Sequence, residues 1–135
     1  MGAFYAAVMG SRRRIRRLVV HDRVYGWCFA HRHDRTRGHP GCRSTLTLWR
    51  HGSRARLCLV FRPADDRVIS DCFFDSGAAL RMPDQVYLNL HEPGTVRALL
   101  DEALARGLFP AGPGTTEVDA WPLFDAVTEP AQGPS

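Results

Sequence analysis

Residues 86–109, VYLNLHEPGTVRALLDEALARGLF, constrain the fold more than any other stretch, because they read as a strand running straight into a helix. Val86, Leu88 and Leu90 alternate with Tyr87 and Asn89, the period-two pattern of a half-buried strand. Pro93 follows at a first helical turn, where its missing amide hydrogen would have had no partner. Glu92 stands beside it, at the positive end of the helix dipole. Val96, Leu99, Leu100, Ala103 and Leu104 then form one apolar stripe, with Arg97, Asp101, Glu102 and Arg106 opposite. Gly107 supplies a left-handed cap and Pro110 stops continuation. A helix of this length is marginal alone. It needs a platform, and burying its larger apolar residues there contributes about 1.5–3 kcal/mol each before chain entropy is charged.

The preceding chain offers that platform. Residues 18–21 and 24–31 are β-branched and aromatic runs broken by Asp22 and Arg23, a hairpin pattern. In the second run Tyr25, Trp27 and Phe29 share one face, and Val24, Gly26, Cys28 and Ala30 share the other. STLTLWR alternates in the same way, with Leu46 and Leu48 on one side and Thr45, Thr47 and Trp49 on the other. His51-Gly52-Ser53 turns it into RARLCLVF. Residues 68–74 read as a further strand, 75–84 as a loop around Gly77 and Pro83, and 116–118 as a last short strand. Residues 121–127 read as a one- or two-turn helix, with Trp121, Phe124 and Val127 spaced to dock.

The expectation is an α+β fold: a mainly antiparallel sheet of five or six strands, an amphipathic helix over about 93–106 on one face, and a short C-terminal helix. One domain over residues 15–128 follows, with a loose arm over 1–14 and a disordered tail over 129–135. The apolar start lacks a basic region before it, and no apolar run approaches bilayer length. Cys28, Cys58 and Cys72 each sit in apolar strand-like runs, as reduced buried thiols do. The implied setting is cytoplasmic, with no membrane partner.

The order of these segments, from VYGWCF through LTLWR and RLCLVF to the closing EVDAWPLFDAV, resembles a group of small uncharacterised bacterial proteins best represented in high-GC actinobacteria. Its most specific parts are the NLxxP junction (Asn89, Leu90, Pro93) and the Asp119-Ala120-Trp121 ending. The resemblance covers residues 15–127, implies a shared domain plan and transfers no functional residue.

Charge is segregated along the chain. All 18 basic residues are arginine, as GC-rich coding favours. Residues 1–62 carry 14 arginines against Asp22 and Asp34, a net of +12; residues 63–135 carry four against 12 acids, a net of −8. Codon bias does not segregate charge. Either the halves neutralise each other within one fold, or the first half offers a cationic surface to an anionic partner. The densest cationic positions are Arg12, Arg13, Arg14, Arg16 and Arg17, followed by Arg32, Arg35 and Arg37, with Tyr25 and Trp27 on the strand between. Aromatic strand faces flanked by arginine are how sheet modules stack single-stranded bases and hold phosphates. The same aromatics also suit a core beneath a helix, and the arginines a solvated edge strand.

A second constellation lies in CFAHRHDRTRGHPGC. Cys28-x-x-His31 and His39-x-x-Cys42 are mirror-image pairs of zinc-ligand type, and His33 forms an H-x-H step with His31. Against a zinc site, seven residues separate the pairs, and on an unbroken strand Cys28 and His31 point to opposite faces. HEPGT lacks the second histidine of a zincin, and no G-x-S-x-G or phosphate loop is present. The sequence reading is therefore a non-enzymatic binding or accessory domain recognising a protein or an anionic macromolecule. Its alternatives are a nucleic-acid module on the arginine-rich half and a zinc-binding module or metal-dependent enzyme on residues 28–42.

Overall fold

A computed structural model describes residues 15–32, 42–69 and 77–129. The arm expected over 1–14 lies outside the described residues, as does the tail beyond Glu129. The fold is α+β, and the described residues form eight strands in two sheets and two helices. Strands β1 (Arg16–Val20), β2 (Arg23–Arg32), β3 (Arg43–Arg50) and β4 (Ala55–Phe61) form an antiparallel run in spatial order. The sheet ends on β8 (Gly114–Asp119), which pairs with β4 in parallel. A parallel partner needs a long crossover. Residues 62–113 supply it, carrying a second sheet of β5 (Arg67–Ile69), β6 (Ala78–Arg81) and β7 (Val86–Asn89), then helix α1 (Pro93–Ala105). Helix α2 (Trp121–Thr128) closes the chain.

Two details differ from the sequence reading. The loop expected over 75–84 contains β6, and the strand expected over 68–74 is described only as β5, with residues 70–76 outside the described set. The strand that leads into α1 belongs to the small sheet, not to the platform.

One face of the large sheet holds the core. Register places Trp27 opposite Leu48 and Leu48 opposite Leu57, and Phe29 opposite Leu46 and Leu46 opposite Leu59, so these side chains project together. Val96, Leu99, Leu100 and Ala103 of α1 join the same cluster, with Leu123 and Phe124 of α2. Leu104, expected in the helical stripe, is 39% exposed because it falls past the edge of that contact. The helix ends as its residues demand. Gly107 takes φ 66°, its N–H donates to Leu104 O, and Leu108 N–H donates to Ala103 O, the double closure of a Schellman motif.

Asn89 and Asp119, which open the two strand-to-helix junctions, are turn-formers. Asn89 Oδ1 accepts the His91 N–H at 2.9 Å where β7 turns into α1, and Asp119 Oδ1 accepts the Trp121 N–H at 3.1 Å where β8 turns into α2.

Candidate anionic-partner interface

The other face of the large sheet contributes nothing to the core cluster among the described residues. One rung of it runs through Arg17, Gly26, Trp49, Arg56 and Thr115, one residue from each strand. Gly26 decides its shape. A methyl group built there would come within 2.5 Å of Trp49 Cε2, so the indole lies down over the glycine backbone. An interior strand glycine that admits a close neighbour is a recurrent use of that residue. The Arg56 guanidinium sits over the same indole, 4.4 Å from its centroid. Trp49 is half-buried in this stack, and Arg17 and Arg56 are exposed.

A second cationic rung pairs Arg32 with Arg43 at the far end of β2 and β3. Arg43 lies six positions before Trp49 along β3, about 20 Å in an extended strand. Between the rungs lies a depression of about 210 Å³ whose walls include Cys28, Thr45, Thr47, Cys58 and Glu117. Burial pushes the Cys58 thiol up from its ordinary value, against a weaker lowering by the Thr47 hydroxyl that donates to Sγ. A thiol so placed is a poor nucleophile. Toward β8 the face closes, with Val60 only 1% exposed.

Charge on this face is largely unmatched. Arg67, Arg81, Arg97 and Arg106, the four arginines of the acidic half, all pair with carboxylates of their own half. Across the halves, the pair among the described residues is Arg43 with Glu117, at 3.9 Å. Among the described residues, Arg17, Arg32 and Arg56 have no carboxylate within the 4.0 Å that defines a pair. Mutual neutralisation of the two halves is thus not how the described arginines are arranged.

The structure distributes the sequence candidates unevenly. Arg17 and Arg32 lie on the face opposite the described helices. Tyr25 and Trp27 do not: they are buried in the core, 4% and 1% exposed, and offer no ring to a ligand. Arg16 faces the core side as well, over the Trp27 ring at 5.0 Å with Nη1 donating to His91 O at 3.0 Å. Arg12, Arg13, Arg14, Arg35 and Arg37 lie outside the described residues, as do His33 and His39. Trp49 is one of the strand aromatics that the sequence sets among these arginines, whereas Arg56, its partner in the surface stack, was not among the candidates. The signal that points to the pair is Gly26 in mid-strand, on the same face as Trp49.

For the metal set, β2 runs unbroken through Arg32, so Cys28 and His31 project from opposite faces. His31 Nδ1 instead meets Ser44 Oγ at 3.0 Å, and Cys42 sits half-buried just before β3. Among the described residues no group of three or more His, Cys, Asp or Glu side chains is placed to hold a metal ion. Ser44 is 0% exposed, so the Ser44–His31 contact presents no hydroxyl to a substrate.

No helix among the described residues is long and apolar enough to cross a membrane. No family model, curated protein or solved structure matches the chain.

Proposed function

We propose that this chain is a non-enzymatic binding domain that holds an anionic macromolecule on the face of its five-stranded sheet opposite the described helices. The observation that carries the reading is the pairing pattern among the described residues: acidic-half arginines are all matched, whereas Arg17, Arg32 and Arg56, on one face of the large sheet, have no described carboxylate beside them. Unmatched like charges on a folded surface repel one another and are relieved by an anion. The reading places the domain in the cytoplasm, where a buried thiol such as Cys58 stays reduced.

Heparin, a generic polyanion, is the direct probe. The native chain is expected to be retained and to elute with salt, and Arg17→Gln/Arg32→Gln/Arg56→Gln to elute earlier. Co-elution of the two proteins, or passage of the native chain without retention at low salt, would overturn the reading.

A further inference from the structure

Resting on the anionic-partner reading, we infer that the ligand is single-stranded nucleic acid, with a base stacked at the Trp49–Arg56 pair and flanking phosphates held by Arg17 on one side and by Arg32 and Arg43 on the other. Three observations converge on that ligand. The first is the indole itself. A site for an acidic peptide or a sulfated sugar needs cations alone, whereas here a flattened tryptophan sits in the same rung as Arg17 and Arg56. Its position is built, because it depends on the missing side chain at Gly26. Planar π and guanidinium surfaces stack any base, and neighbouring cations take the phosphates.

The second is the track between the cationic rungs. Cys28, Ala30, Thr45 and Thr47 carry small side chains, and the depression they line lets a chain lie close to the sheet. Its ends are the stack and the Arg32–Arg43 rung, about 20 Å apart, the reach of a short extended oligonucleotide. The third is the shape of the reader. The indole lies flush over Gly26 and is half-buried, and among the described residues no strand or helix projects from this face toward a duplex groove. Bases must come to the surface, which only an unpaired strand allows.

The experiment uses the full chain and a fluorescein-labelled oligothymidylate about twelve nucleotides long, within the span of single-strand sites. Binding is read by anisotropy across a salt series, with oligouridylate, a duplex of the same length, polyglutamate and heparin as competitors. Native protein is expected to prefer both single strands to the duplex. Trp49→Leu should weaken that binding about tenfold or more at unchanged salt slope, and Trp49→Phe, which restores a ring, should recover most of it. Arg17→Gln/Arg32→Gln should flatten the slope of log K against log salt by about 1.4, two single-strand phosphate contacts. Circular dichroism and thermal unfolding confirm that each variant is folded.

Equal affinity for Trp49→Leu, Trp49→Phe and native protein overturns the inference, as does tighter binding to the duplex or to polyglutamate. Those results leave the anionic-partner reading standing. Absence of binding to every polyanion removes both.

Discussion

Two tryptophan–arginine stacks lie on opposite faces of one sheet, a single residue apart along β2. Trp27 and Arg16 form the first, Trp49 over Gly26 with Arg56 the second. Their chemistry is the same and their circumstances are not. Trp27 is sealed into the core, and its arginine is tied by a hydrogen bond to the His91 carbonyl. The Trp27 Nε1–H has no acceptor among the described residues, a loss of about 1–3 kcal/mol that dense packing around the ring offsets. Trp49 is half-open, and among the described residues Arg56 has neither carboxylate nor carbonyl holding it. An arginine tied to a main-chain carbonyl over a buried ring serves the fold. One stacked but otherwise unbonded still has donors to give. The contrast separates a structural pair from a pair available to a ligand.

The sharpest way to break that contrast is to remove the rings. Trp27→Ala should destabilise the domain by about 3–5 kcal/mol, the range for emptying a buried aromatic site. Trp49→Ala should lower stability by only about 1 kcal/mol, since part of that ring is already in water. Urea midpoints measured on both variants check this. Equal losses would mean that the outer tryptophan belongs to the core, and its role at a surface site would go with it.

Gly26→Ala is the next largest effect expected, about 1–2 kcal/mol, because the added methyl must displace the Trp49 indole. In a Trp49→Ala background the same substitution should lose most of its effect. A double-mutant cycle read by denaturation supplies the coupling. Additive losses would show that the glycine is needed for strand conformation rather than for the indole.

How much of this was readable beforehand follows from what each signal depends on. The strands of STLTLWR and RLCLVF were readable because their alternation is local, and so was the close of α1 at Gly107, because a left-handed cap is a one-residue requirement. Strand β6 was not, since Ala78-Ala79-Leu80-Arg81 carries no alternation and follows a glycine. The division into five and three strands was also hidden. β5, β6 and β7 are three or four residues long, and which strand pairs with which is a matter of tertiary geometry. The site divided in the same way. That Tyr25 and Trp27 share a face was local information; which face the helices would cover was not, and the helices took that one. Gly26 opposite Trp49 could be suspected only once the β2–β3 register was known.

A third arginine–aromatic group sharpens the contrast from the tethered side. Arg67 lies over Trp121 at 5.2 Å and Arg81 over Phe124 at 5.9 Å, and both guanidinium groups converge on Asp125 of α2. Arg67 donates to both carboxylate oxygens, at 2.7 and 3.0 Å, joining the small sheet to the last helix. The hydrogen bonds from Arg67, then those from Arg81, hold the Asp125 carboxyl below its ordinary 3.8. A depressed folded value means stability that is complete above 3.8 and lost as pH falls through that value toward the folded one. Asp125 is 41% exposed, which limits the gain, so Asp125→Asn should lower stability by about 1 kcal/mol near neutral pH. The difference from native should shrink between near-neutral pH and an acidic pH below 3.8, as the carboxylate takes up its proton on the way through its lowered folded value. Urea unfolding at the two pH values checks it; a difference independent of pH would mean that the carboxylate acts through packing rather than charge.

The smallest expected effects are also the most direct comparison of the two stacks. Arg16→Gln removes a cation over a buried ring and a hydrogen bond to a main-chain carbonyl, and should destabilise by about 1 kcal/mol. Arg56→Gln removes a cation over a half-exposed ring with no second partner, and should shift stability by less than about 0.5 kcal/mol. Polyanion retention should move the opposite way, falling for Arg56→Gln and holding for Arg16→Gln, because the outer guanidinium lies on the proposed binding face and the inner one over the core tryptophan. If the two variants lose stability and retention in parallel, the faces are doing the same work, and the distinction between a bonded and an available arginine has no functional content in this fold.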